Sequence, residues 1–153
     1  MERRELHAVA SLVGLGAVFW WFQMRLLDGF SIVDQPPMKL FAVYLTVIVL
    51  SSLVTIAAGA LTLGARSFED ERDRAIALRA GRNERFFIIA AINVVIWQAL
   101  AQEAFATDWA PRIDFFSPAG LLFTLFAILF GGELVRLASI IALYRMQAGR
   151  GGA

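Results

Sequence analysis

SFEDERDRAIALRAGRNER, residues 67–85, is the one long charged run in a chain that is otherwise close to hydrocarbon. Counting back to Arg66 it holds six of the fourteen bases, and it holds five of the thirteen acids. Two long apolar segments lie on each side of it, so its charge decides which way the whole chain faces in a bilayer.

Read by itself, the run predicts a short helix over about residues 68–80. Ser67 followed three residues later by Asp70 has the form of a capping box, and Gly81 has the form of a helix stop. Glu69, Asp70, Glu71 and Asp73 fill the first half, whereas Arg74, Arg79 and Arg82 come toward the end. That order complements the helix dipole, and Asp70 with Arg74 adds an i,i+4 pair. Phe68, Ala75 and Ile76 give the segment a modest apolar face suited to a membrane surface or another protein.

Outward from this run the chain reads as four transmembrane helices in an all-α, antiparallel polytopic bundle, with spans at about residues 6–25, 40–65, 86–105 and 119–145. The first ends in the aromatic belt Phe19-Trp20-Trp21-Phe22, and no small-residue cleavage site follows it, as a secretory leader would require. Asp28, Gly29, Asp34, Pro36 and Pro37 then halt the helix. Leu40 to Ala65 carries no charge at all, and its Ser51, Ser52 and Thr55 are expected to bond to carbonyls one turn back. Residues 148–153 are Gly-rich and read as a flexible tail.

Composition agrees. The 153 residues are 59% apolar with a mean hydropathy of +0.66, against about 45–50% apolar in a soluble domain. A net charge of +1, with the arginines interleaved with acids, argues against direct nucleic-acid binding. The absence of cysteine excludes disulfides, thiol redox chemistry and thiolate-ligated metals. One lysine against thirteen arginines, with many Ala and Gly, is the composition of a high-GC bacterium.

With four spans, both termini and the charged run share one side. That side holds Arg3, Arg4, Arg66, Arg72, Arg74, Arg79, Arg82, Arg85, Arg145 and Arg150, against Arg25, Lys39 and Arg112 on the other. The excess predicts cytoplasmic termini. Arg136 belongs to the membrane. Counted from Arg145 at ~1.5 Å per residue, Arg136 lies at a depth of about 14 Å and Glu133 about 18 Å, while Asn93 and Gln98 lie about 12 and 20 Å from Arg85. These four residues are therefore expected to form an intramembrane polar layer, read either as a packing device or as an ion or proton relay.

No catalytic, cofactor or metal site is expected. His7 is a lone histidine at the start of a span, so one chain cannot supply bis-histidine haem ligation. The acids at 69–73 lack the central glycine of a calcium loop, and no GxSxG, HExxH or Walker motif occurs.

Asp70-Glu71-Arg72, followed by Ile76 and by Arg79-Ala80 ahead of a span, resembles a group of small four-span bacterial inner-membrane proteins with a cytoplasmic DER-type loop before the third helix. The resemblance implies the same layout, a bacterial inner-membrane location and no assigned activity. It also suggests a membrane-held partner of a regulator.

The expected function is thus a non-enzymatic regulatory or accessory subunit, contacting a protein partner or a second copy through Asp70, Glu71, Arg72, Arg74, Arg79 and Arg82. A small oligomeric carrier or channel using Glu133 and Arg136 is the alternative.

Overall fold

The structure is a computed structural model that describes residues 3–28, 31–32, 35–60, 71–104, 114–115 and 117–150. The elements run α1 (Arg3–Leu26), β1 (Leu27–Asp28), β2 (Ser31–Ile32), α2 (Pro37–Ala60), α3 (Glu71–Ala104) and α4 (Pro118–Arg150). Apart from the two-residue ladder, in which Leu27 faces Ile32 and Asp28 faces Ser31, the described chain is helical. All four helices are long and apolar enough to cross a membrane.

Local chemistry sets the helix starts. Pro37 opens α2, where its missing N–H is no loss, and the Pro36 carbonyl accepts from the amides of Lys39 and Leu40. Within α2, Thr46, Ser52 and Thr55 donate to the carbonyls of Ala42, Ile48 and Ser51, as hydroxyls in apolar surroundings do. Ser117 caps α4: its Oγ accepts from the Gly120 amide at 3.0 Å and donates to the Asp114 carbonyl at 2.9 Å. Pro118 follows as the first helical residue. A Cβ at Gly120 would overlap the Asp114 carbonyl, so this tight start requires glycine.

The helices pack side by side in the order α2, α1, α4, α3. Between α1 and α2, His7 Nδ1 lies 2.8 Å from the Ala58 carbonyl, and Gly14 allows Val54 to approach closely. Between α1 and α4 a column of rings forms the core. Phe19 stacks on Phe130 at 5.5 Å, and Phe22 lies against Phe126 at 5.3 Å and Phe123 at 6.1 Å. Tyr44 of α2 meets Phe126 edge-on. Phe22 and Leu26 are wholly buried, so the densest packing is at the C-terminal end of α1. Along each of these pairs, residue numbers rise on one helix as they fall on the other.

Two observations differ from the sequence expectation. The separate helix over 68–80 is absent: Glu71–Ala104 is one helix of 34 residues that passes through Gly81 with right-handed backbone and open space around it. Burial of Ile76 (2% exposed) and Ala80 (0%) explains why the charged run continues the helix, since both lie on the side of α3 turned to α4. α4 likewise runs on to Arg150, into the stretch read as a tail, whose last three residues lie outside the described chain. The proposed cap at Ser67 and Asp70, with Phe68 and Arg66, falls outside the described residues.

Candidate functional site at the charged end of the third and fourth helices

The charged N-terminal part of α3, residues 71–85, lies alongside the C-terminal half of α4, with polar contacts at both ends of this stretch and the buried Ile76 and Ala80 between them. Nearest the N-terminus of α3, the Tyr144 hydroxyl donates to Asp73 Oδ1 at 2.6 Å, and the Arg72 guanidinium sits 5.9 Å from the Tyr144 ring. Tyr144 is buried, which places a short charge-assisted bond under a cation–π contact. Further along, Asn83 Nδ2 donates to Ser139 Oγ at 3.0 Å. Glu84 and Arg136 come next, with Glu84 Oε2 at 3.9 Å from Arg136 Nε. Arg136 also makes two bonds to Glu133, Nε to Oε2 at 2.8 Å and Nη2 to Oε1 at 2.5 Å. Above these, Gly131 and Gly132 let α4 press against Phe87 and Ile88.

The direction of the Arg136 side chain follows from helix geometry. Side chains lean toward the N-terminus of their own helix, so Arg136 reaches back one turn to Glu133 instead of extending toward the C-terminal end of α4. A planar guanidinium meeting a carboxylate through two parallel bonds is a strongly oriented pair. It is not a dry one: the side chains of Arg136, Glu133 and Glu84 are 39%, 31% and 28% exposed, so one flank of the groove is open.

Asn93 and Gln98 do not belong to this cluster. Asn93 is exposed and donates to the Ile89 carbonyl on its own helix. Arg136 meets α3 at Glu84, and Asn93 and Gln98 lie about 13 and 21 Å further along α3 at ~1.5 Å per residue. The two depth scales began from anchors at different levels: Tyr144, next to the Arg145 anchor, faces Asp73, twelve residues before Arg85. Glu84 replaces Asn93 as the α3 member of the layer. Placing it in a connecting loop hid it; its i−4 relation to the buried Ala80 and Ile76 was the available signal.

Of the six expected contact residues, Asp70 lies outside the described chain. The other five, Glu71, Arg72, Arg74, Arg79 and Arg82, are all exposed, as is Arg85. It is the acids outside that set, Asp73 and Glu84, which turn inward toward α4. At the base of the assembly Arg145 Nε donates to Glu5 Oε1 at 3.2 Å, tying α4 to α1.

No family model, curated protein or solved structure matches the chain. The likeness carried by Asp70 to Ala80 therefore assigns no family.

Proposed function

We propose that this is a non-enzymatic accessory or regulatory subunit of a bacterial inner membrane, with both termini in the cytoplasm, which binds a protein partner through the first turns of α3. The observation that carries this reading is the inward turn of Asp73 onto Tyr144. It leaves Arg74 and Arg79 as outward positive charges on a rigid helix braced along its length by α4. A topology signal needs arginines but no bracing; a docking surface gains from being pre-organised. The partner surface that complements it is acidic.

Purification from membranes with Arg72, Arg74 and Arg79 all changed to Glu is expected to lose a co-purifying protein by at least about tenfold, as reversal of several interfacial charges should cost more than 1.4 kcal/mol. An unchanged set of partners would reduce this end of α3 to an orientation signal. Labelling of a cysteine placed at residue 74 from outside intact cells would overturn the orientation itself.

A second reading is a small carrier or channel, favoured by Glu84, which adds a second acid on a second helix to Glu133 and Arg136. Proton or cation flux into proteoliposomes should then fall at least about tenfold when Glu84 and Glu133 are both changed to Gln, the loss typical of removing a proton-transfer group. Flux equal to the parent protein would remove this reading.

A further inference from the structure

α3 carries a single outward stripe along its whole length. Arg74, Leu78, Arg82, Arg85, Ile89, Ile96 and Leu100 follow one another at steps of three, four or seven residues, and all seven are exposed. Between Arg85 and Ile89 the stripe passes from arginine to pure hydrocarbon without turning around the helix. Phe86, 75% exposed, marks the boundary.

Two features single out this boundary. The acids near it are directed elsewhere: Glu84 faces Arg136, and among the described residues no carboxylate forms an ion pair with Arg82 or Arg85. Glu71, the remaining acid at the start of the stripe, lies about 16 Å from Arg82 along the helix. The boundary is also displaced from the ends of the other helices. His7 meets Ala58, Glu5 meets Arg145, and Tyr144 meets Asp73, so the ends of α1, α2 and α4 lie level with the N-terminus of α3. On α2 the exposed apolar surface continues down to Ile56, 69% exposed. On α3 the unbroken exposed apolar surface stops at Phe86, about 20 Å before the helix itself does, and beyond it Leu78 is the one large apolar side chain exposed among the charges of the described helix.

A bilayer that covers Ile56 must tilt or thin along α3 to leave Arg82 and Arg85 outside hydrocarbon, because a centrally buried arginine costs ~2.5–3.5 kcal/mol even on the mildest scale. Headgroups are then drawn up to these side chains. α3 would enter the bilayer N-terminus first, and its side chains lean that way, so both guanidinium groups reach back to the phosphate level while Phe86 and Ile89 take up the acyl chains. Arginine, with its flat fork of donors, is the residue suited to a phosphodiester.

We infer that Arg82 and Arg85, with Phe86 beside them, bind the headgroups of anionic phospholipids along the outer face of α3. The inference shares with the proposed function the four membrane spans, but not the protein partner, which uses residues nearer the N-terminus of the helix.

The test is native mass spectrometry of the full chain released from nanodiscs of mixed phosphatidylglycerol and phosphatidylcholine. The parent protein should retain phosphatidylglycerol about tenfold over phosphatidylcholine; two arginines near a membrane surface provide at least this much selectivity. The double variant Arg82→Gln and Arg85→Gln should retain the two lipids within about twofold, with Lys39→Gln, at the opposite end of α2, unchanged. Equal retention by the parent protein overturns the inference. So does selectivity that survives the double variant, or that is lost only on changing Arg72, Arg74 and Arg79 to Glu, which would assign the anion preference to the docking end. Displacement of phosphatidylglycerol by millimolar inorganic phosphate also overturns it, since the ligand would then be a free anion. Should the double variant not fold, the thermal midpoint of the parent protein decides: it should rise when phosphatidylglycerol replaces part of the phosphatidylcholine, and an unchanged midpoint counts against the site.

Discussion

Gly131→Val is expected to lower the stability of the folded chain by about 2–3 kcal/mol, the cost of forcing extra carbons into a closed helix contact. A Cβ at this position would stand 2.7 Å from both Cε1 and Cζ of Phe87, so the ring must shift even for the first added carbon, and valine adds two more. Gly132 is in the same position against Ile88, with Cγ1 at 2.9 Å. Inside a membrane there is little hydrophobic force to hold two helices together, so close approach at small residues provides much of the attraction. Titration of the detergent-solubilised protein with sodium dodecyl sulfate would read the loss as an earlier midpoint. Phe87→Ala in the same chain should recover about half of it, because the two changes share one space. Gly81→Ala serves as the contrast: nothing lies within 4 Å of a Cβ there, and an alanine in an uninterrupted helix should stabilise by about 0.5–1 kcal/mol. A Gly131→Val variant as stable as the parent would mean that α3 and α4 do not meet at these glycines.

Arg136→Gln is expected to cost about 2 kcal/mol, less than a fully buried pair would lose because the groove is partly open. The loss has two sources. Two charge-assisted bonds to Glu133 disappear, and Glu133 and Glu84 are left beside each other with no cation between them. Changing Glu133 to Gln in the same chain removes one of the stranded charges, so the double variant should be more stable than Arg136→Gln alone. The same detergent titration separates the three proteins. If Arg136→Gln matched the parent, water in the groove would be screening the cluster and the pair would have no part in joining α3 to α4.

Four spans were legible because charge-free stretches such as Leu40 to Ala60 leave few other structures open to a chain in lipid. What hydropathy hid was the continuity of α3. Gly81 looked like a stop and the dense charge like a connector, since neither signal reports the partner helix that buries Ile76 and Ala80. That single omission propagated. With a separate helix ended at Gly81, Arg85 stands as the membrane boundary on α3 while Arg145 serves on α4, and Asn93 is matched to Arg136 in place of Glu84. Spacing along one helix fixes depth within that helix only; register between helices depends on contacts such as Gly131 with Phe87, which leave little trace in one sequence. The i,i+3 relation of Glu133 and Arg136 needed no such register, and in the structure the two are bonded.

The uninterrupted run of α3 past the Gly131–Gly132 contact makes it a lever with its fulcrum near Phe87. The arm to Arg74 is about 20 Å and the arm to Ala104 about 26 Å, nearly a balanced beam. Were the arginine end drawn away from Tyr144, an unbroken helix pinned at Phe87 would carry its opposite end the other way by a slightly larger distance.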